Sequence, residues 1–218
     1  MNHGPLKKSE LPIEILSQEN VFEGQWLDTK RLTISKARRS CFSFGKESKI
    51  ETWEIIDRKK SKSSNIHGVY IVPVLKYKTG ENYLILIKQF RLPLMNYAIE
   101  FPGGFLAEGQ TPEDTALREL WEETGYTGTV YKVSPGICCE AASCVFSLLK
   151  FVTVHINGDD DKNENPKQNI PEEELETIEV LKIPLKQLSF KLEEFSKQGL
   201  YIMGPVYAFC HGLNFLNE

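Results

Sequence analysis

Three glutamates with helical spacing could form a metal-binding patch. They are Glu119, Glu122 and Glu123, in a segment that runs from Arg118 to Gly125. Positions i, i+3 and i+4 of a helix lie on one face, so the three carboxylates would be neighbours. The repulsion between them favours a bound cation, and hard oxygen ligands suit Mg²⁺ or Mn²⁺. The alternative interpretation is a solvated acidic helix face.

The residues around this patch predict the helix that would position it. Thr111 is a good N-cap, Pro112 suits the first helical position, and Asp114 occupies the third position, as in a capping box. Gly125 can end the helix in a left-handed conformation. A second stripe at helical spacing is predicted to pack on a core, and it consists of Leu117, Leu120, Trp121 and Thr124.

Composition and charge narrow the class of protein. The chain has 218 residues, of which 41% are hydrophobic and 26% charged, as expected for a soluble globular protein. A net charge of −4 gives no electrostatic reason to expect binding to nucleic acid or to an anionic membrane. No apolar run approaches the roughly 20 residues that span a bilayer. Five cysteines without framework spacing indicate reduced thiols in an intracellular protein.

Hydrophobic patterning predicts an α+β fold, because strands are interleaved with only a few helices and without regular βαβ alternation. Residues 1 to about 20 are expected to form a loosely held arm, followed by short strands up to Asp57 and a polar linker over 58–66. The later elements are expected to be strands at Val69–Leu75, Tyr83–Ile87, Thr129–Val133, Val145–Ile156 and Ile178–Ile183, loops at 135–144 and 157–176, and helices at Leu185–Gln198 and Pro205–Asn217.

Two tryptophans in the N-terminal part have two interpretations. Trp26 and Trp53 could pack in a core or an interface, or they could offer planar faces to a nucleobase. Arg58 lies in a basic tract just past the strand that carries Trp53. That tract is consistent with a solvated loop, and Arg58 could also reach a phosphate.

The segment from Gly104 to Tyr126 resembles the Nudix box, G-x5-E-x7-R-E-U-x-E-E-x-G-U, where U is an aliphatic or aromatic residue. The first glycine is Gly104, the R-E pair is Arg118-Glu119, and the E-E pair is Glu122-Glu123. The spacing matches without a gap. The one departure is Gln110, which stands where the box has its first glutamate. Because position 110 precedes the helix cap, the absence of a glutamate there is expected to weaken metal binding rather than abolish it.

The resemblance extends beyond the box to the eukaryotic ADP-sugar pyrophosphatases of the Nudix family, through the segments Lys-Gln-Phe-Arg, Glu-Phe-Pro-Gly-Gly and Ile-Asn-Gly-Asp-Asp. It implies a Nudix α/β/α sandwich with a mixed β-sheet over residues 67–218. It also implies a small N-terminal β-sheet domain over residues 1–66 for dimerisation and adenine recognition. The implied activity is Mg²⁺-dependent hydrolysis of ADP-ribose and related ADP-sugars to AMP and ribose 5-phosphate. The implied assembly is a homodimer with exchanged N-terminal regions, in the cytoplasm or also in the nucleus.

The same resemblance implies roles for individual residues. Trp26 and Trp53 would sandwich the adenine, one from each subunit, and Arg58 and Arg91 would contact phosphate and ribose. The metal ligands would be the Gly103 carbonyl, Glu119 and Glu123, with Glu122 beside them in a metal and catalytic role. The general base would come from a loop, where Glu176 is the matching position. Two alternatives stay open: a hydrolase of oxidised guanine nucleoside diphosphates, and a non-catalytic ADP-ribose-binding module.

Overall fold

The computed structural model describes residues 13–37, 48–59, 65–140, 142–170 and 177–217. The chain divides into two compact units. The first comprises Met1–Lys60 together with Cys139–Ser147, and the second comprises Ser61–Cys138 and Leu148–Glu218. No pattern in the sequence indicated that the segment 139–147 groups with the N-terminal part.

An antiparallel sheet forms the first unit. Its strands are β1 (Ile13–Glu23), β2 (Leu27–Ala37) and β3 (Ser48–Arg58). β2 pairs with β3 along its whole length, and β1 pairs with β2 through two register irregularities. The expectation of a loose arm up to residue 20 is therefore wrong from Ile13 onward, because this part of the chain is in register with β2 as a full strand.

The remaining strands and helices follow in chain order. The strands are β4 (Gly68–Lys76), β5 (Tyr83–Arg91), β6 (Asn96–Glu100), β7 (Gly103–Phe105), β8 (Thr129–Val133), β9 (Cys138–Glu140), β10 (Val145–Asn157), β11 (Ile178–Pro184) and β12 (Tyr201–Ile202). The α-helices among the described residues are α1 (Pro112–Thr124), α2 (Leu188–Lys197) and α3 (Gly204–Asn217). Most elements match the expectation, whereas β9 lies in a stretch that was predicted to be a loop.

A mixed sheet organises the second unit. From Leu149 onward, β10 pairs in parallel with β4, and it pairs antiparallel with β8. β5 pairs antiparallel with β4, β6 and β11, and β12 extends the sheet in parallel with β6. β7 turns back antiparallel to β4, which brings the Gly103-Gly104 pair against the start of that strand.

Alternation along the strands divides the core of the second unit into two layers. One layer packs against α1 and contains Ile71, Leu75, Ile85, Ala116, Leu120 and Val152. The other packs against α2 and α3 and contains Val72, Leu84, Leu86, Leu192 and Val206. The sheet is thus covered by helices on both faces, and the expected α/β/α sandwich is confirmed. Each fully buried Leu or Ile contributes about 1.5–3 kcal/mol to folding.

Helix α1 begins and ends as its sequence predicts. The Thr111 hydroxyl accepts from the Asp114 N–H, the Asp114 carboxylate accepts from the Thr111 N–H, and Gly125 closes the helix with a φ of 75°. The predicted packing stripe is only half right: Leu120 and Thr124 are buried, but Leu117 and Trp121 are exposed. The buried face is instead shifted toward Ala116 and Glu123. Within the described ranges, no helix is both long and apolar enough to cross a membrane.

Candidate active site

The three glutamates of α1 have different surroundings. Glu123 is buried, with 9% of its surface exposed. The side chain of Glu119 is also largely covered, whereas that of Glu122 is about one-third exposed. The fold therefore turns two of the three carboxylates toward the interior, which a solvated acidic face would not do.

The turn before α1 forms a cradle for the buried carboxylates. The Gly103 N–H donates to Glu123 Oε2 at 3.0 Å. A Cβ at Gly104 would lie 2.0 Å from Glu119 Oε1, and a Cβ at Gly103 would lie 2.2 Å from the Val69 carbonyl oxygen. Gly103 therefore needs glycine to let β7 approach β4, whereas a methyl group at Gly104 would require the Glu119 carboxylate to move.

Arg118 supplies positive charge between two of these carboxylates. Its Nη2 lies 2.7 Å from Glu119 Oε1, and its Nη1 lies 2.6 Å from Glu122 Oε2. Nη2 also faces the Phe105 carbonyl oxygen at 3.4 Å. The guanidinium is thus the counter-ion of the patch, and it ties the helix to the preceding turn.

The electrostatics of Glu123 favour a cation. Burial raises the pKa of Glu123 to about 8, and the charges of Glu119 and Glu100 also raise it. The N–H of Gly103 and the charge of Arg91 act in the opposite direction. The ionised form of Glu123 is therefore under-compensated by the surrounding protein, and a divalent cation would provide the missing charge.

The donor set fits a hard divalent cation by its chemistry. In the part of the chain that the structure describes, no three His, Cys, Asp or Glu side chains converge as a ready-made metal site. Glu119 and Glu122 are instead bonded to Arg118. The carboxylate oxygens are nevertheless the ligand type that Mg²⁺ and Mn²⁺ prefer. The Gly103 carbonyl stays a predicted ligand.

Arg91 is close to the patch and is fixed by a partner that was not predicted from the sequence. Its Nε and Nη2 donate to the two carboxylate oxygens of Glu100 at 2.8 and 2.7 Å. Glu100 is buried, with 3% of its surface exposed. A sequence signal did exist, because Glu100 is the one charged residue between Tyr97 and Phe101.

The loop after β10 packs against the C-terminal end of α1. Gln168 Nε2 donates to the Glu123 carbonyl oxygen at 2.8 Å, and the Asn169 N–H donates to the Glu122 carbonyl oxygen at 2.8 Å. A Cβ at Gly125 would lie 2.5 Å from the Lys167 backbone, so glycine is needed here for close approach. The loop thereby satisfies helix carbonyls that would otherwise lack donors.

The other predicted residues belong to the first unit or fall outside the described residues. Trp26, Trp53 and Arg58 belong to the first unit, where Trp26 follows β1 and the other two lie on β3. Both indole rings are exposed, Trp26 by 73% and Trp53 by 44%, so neither is a core residue in this chain. Glu176 lies outside the described residues. The structure thus brings together Arg91, Gly103 and the three glutamates of α1.

An open cavity of about 670 Å³ lies at the C-terminal end of α1, and none of these residues lines it. Its lining consists of Thr124, Tyr126, Pro166, Lys167, Gln168, Ile178, Glu179, Val180 and Lys182. The carboxylate patch, with its buried ionisable groups, is therefore the better candidate for chemistry.

Comparison with known proteins agrees with this location. The chain matches the NUDIX domain over residues 67–201, which includes the turn, α1 and the sheet. It is 34% identical to the ADP-sugar pyrophosphatase of Mus musculus over 94% of this chain and 88% of that protein. It is 31% identical to the ADP-ribose pyrophosphatase of Saccharomyces cerevisiae over 74% of this chain and 69% of that protein. The crystal structure of an ADP compounds hydrolase shares the fold, with a TM-score of 0.57 and 19% identity over 84% of each chain.

Proposed function

Because the chain belongs to the Nudix hydrolase family, we propose that it cleaves the pyrophosphate bond of ADP-ribose and related ADP-sugars, giving AMP and ribose 5-phosphate. The observation that carries this proposal is the pair of carboxylates held against the Gly103-Gly104 turn, the largely covered Glu119 and the buried Glu123. The substrate class is supported by the mouse and yeast relatives, whose names are ADP-sugar pyrophosphatase and ADP-ribose pyrophosphatase.

Nudix hydrolases generally use divalent metal ions, and we propose Mg²⁺, with Mn²⁺ as a substitute. Glu119, Glu123 and the Gly103 carbonyl would hold it, with Glu122 beside them. When bound, the ion would neutralise phosphoryl charge and lower the pKa of a coordinated water. Gln110 stands at the remaining box position. Its Oε1 accepts from the Thr115 hydroxyl at 3.2 Å, so the amide supports the start of the helix.

The chain's own residues would bind and orient the substrate. Arg91 would bind a phosphate or the ribose, because its guanidinium is fixed on one side and partly exposed. Trp26 and Trp53 would stack on the adenine, since both rings are exposed, and Arg58 would contact a phosphate. Glu176 would deprotonate or orient the attacking water.

We further propose a homodimer in which each N-terminal region helps to complete the partner's site. Exposed large apolar side chains on the first unit support an interface of this kind, among them Ile15, Leu16, Val21, Phe22 and Ile50. Such a concentration is unusual for a surface that faces only water. We place the enzyme in the cytoplasm or the nucleus, and the free state of the described cysteines is consistent with a reducing compartment.

A metal-dependent hydrolysis screen tests the proposed substrate. ADP-ribose, other ADP-sugars and an oxidised guanine nucleoside diphosphate are each incubated with the full chain and Mg²⁺, and with EDTA as the control. We expect kcat/KM to be highest for an ADP-sugar and the products to be AMP and a sugar phosphate. A higher kcat/KM for the oxidised guanine nucleotide would replace the proposed substrate with that one.

A further inference from the structure

We propose that Glu100 is a positioning residue that holds Arg91 as a preformed receptor for an anion beside the carboxylates of α1. The inference rests on the proposed function only for the identity of the anion, a pyrophosphate group of the substrate. Arg91 would touch the anion, and Glu100 would act through Arg91 without touching it.

Strand register explains how the two side chains meet. β5 and β6 are antiparallel, with Arg91 opposite Asn96 and Gln89 opposite Ala98. Glu100 stands opposite Ile87. It therefore lies four residues beyond Asn96 along β6, on the same face of the sheet as Arg91. Because the two side chains are bonded across this separation, the arginine must extend toward Glu100, past the pair formed by Gln89 and the small Ala98.

The bonding pattern leaves one side of the guanidinium available. Nε and Nη2 are occupied by the two oxygens of Glu100. Among the described residues, Nη1 has no acceptor, and 44% of the Arg91 side chain is exposed. A guanidinium has five N–H donors in a rigid plane, so a carboxylate that fixes one edge also fixes the direction in which the others point.

Because Glu100 is buried, its carboxylate needs the contact with Arg91, and this need keeps the arginine in place. A carboxylate with 3% exposure is costly unless it is paired and hydrogen-bonded, and the bidentate arginine provides both. Because the arginine is already ordered, an incoming anion does not have to immobilise it. Preorganisation of this kind raises affinity without adding a contact.

The pair is also electrostatically connected to α1. The pKa of Arg91 is raised chiefly by the bonds to Glu100, and the charge of Glu123 raises it as well. Arg91 is therefore near both the buried partner that orients it and the carboxylate that would help to hold a cation. An anion bound to Arg91 would have its charge next to that cation.

Glu100→Gln tests the proposal while keeping the size of the side chain. The glutamine oxygen can accept only one side of the guanidinium fork, and its amide N–H groups oppose the other donor, so Arg91 should turn. We expect KM for ADP-ribose to rise about tenfold and kcat to change less than about threefold, since the lost interaction is one of binding. Glu179→Gln is the matched control. It removes an exposed ion pair between Glu179, on β11, and Lys88, which lies on β5 as Arg91 does.

A double-mutant cycle separates positioning from a general structural effect. If Glu100 acts through Arg91, Glu100→Gln should change KM by less than about twofold in an Arg91→Ala background. An equal tenfold rise in both backgrounds would overturn the proposal. Thermal unfolding of all four proteins shows whether they fold alike.

Direct binding distinguishes this inference from the proposed function. The probes are inorganic pyrophosphate and a methylene-bridged ADP-ribose analogue, each titrated calorimetrically in the presence of Mg²⁺. If the wild-type protein binds pyrophosphate but not the analogue, the proposed substrate is wrong. In that case, a roughly tenfold weaker affinity of Glu100→Gln for pyrophosphate would still support the role of Glu100. Equal pyrophosphate affinity of wild type and Glu100→Gln would overturn that role, as would a wild-type protein that binds neither probe.

Discussion

At the scale of single residues, the candidate site is built on Glu123 and Glu119, whose carboxylates are largely covered rather than presented to water. Glu123 accepts one hydrogen bond from the Gly103 N–H, and its charge is opposed by Glu119 and Glu100. This arrangement destabilises the empty site in its ionised form. A bound cation would therefore stabilise the ionised form of Glu123 more than that of an exposed carboxylate, which is consistent with a site that binds metal.

Glu123 should make the stability of the metal-free protein depend on pH. Its pKa is about 8 in the folded chain against an ordinary value of 4.5, so between these values the folded state retains a proton that the unfolded state releases. The free energy of unfolding, measured in EDTA, should therefore fall by a few kcal/mol as the pH rises from 5 to 8. Saturating Mg²⁺ should reduce this slope, because the cation favours the ionised carboxylate.

Two substitutions identify the group responsible. Glu123→Gln should remove most of the slope in EDTA, because glutamine does not titrate. Glu113→Gln, in the exposed first turn of the same helix, should leave the slope intact. An identical slope in wild type and Glu123→Gln would show that another group is responsible.

The carboxylates of α1 could be predicted from the sequence, but their burial could not. Helical spacing groups Glu119, Glu122 and Glu123 on one face using local information alone. Whether that face is turned inward depends on β7, through Gly103 and Gly104, and so on long-range packing. The contact between Glu100 and Arg91 was not predicted for the same reason, because the two residues lie on neighbouring strands.

At the scale of elements, α1 is stabilised at both ends by different means. Its first turn is capped locally by Thr111 and Asp114, which the sequence predicted. Its last turn is bonded by Gln168 and Asn169, which come some 45 residues later and which no local pattern could reveal. Long-range packing also decides which residues of the predicted packing stripe are buried. Leu117 and Trp121 have the helical spacing of the stripe, but the fold leaves them exposed.

Asn163 should be the most sensitive residue in the loop that follows β10. It is 4% exposed; its Oδ1 accepts from the Thr127 N–H at 2.9 Å, and its Nδ2 donates to the Thr127 and Asn157 carbonyl oxygens at 3.0 Å. Asn163→Ala would leave these buried groups unpaired, so we expect a loss of about 2–4 kcal/mol in urea unfolding. Asn165→Ala, at an exposed position two residues away, should cost less than about 0.5 kcal/mol. Equal costs would mean that Asn163 does not hold the loop.

At the scale of the whole molecule, we propose that the two units divide the work. The second unit carries the carboxylates and Arg91, and the first carries the exposed tryptophans. The strands and helices of residues 67–218 were largely predictable from their periodicities, whereas the α/β/α sandwich was implied by the resemblance to the Nudix family. The assignment of residues 139–147 to the first unit was not predictable, because it depends on pairing of Val145 and Phe146 with β3.

Trp26 should affect binding more than chemistry. Stacking of a base on an aromatic ring contributes about 1–3 kcal/mol, and substrate and transition state share it. Trp26→Ala should therefore raise KM for ADP-ribose at least about fivefold and change kcat little. Phe215→Ala, which removes another highly exposed aromatic ring, is the control and should leave KM unchanged. An unchanged KM in Trp26→Ala would contradict adenine stacking and favour the alternative interpretation, in which Trp26 packs in an interface.

The most direct test of the proposed active site is the turnover of ADP-ribose by the double variant Glu122→Gln and Glu123→Gln. Both substitutions preserve side-chain size and remove the charges that would hold the cation. Mg²⁺-dependent hydrolysis should fall by about a thousandfold or more, while circular dichroism shows an intact fold. Undiminished Mg²⁺-dependent hydrolysis by this variant would contradict the assignment of α1 as the metal-binding element of the active site.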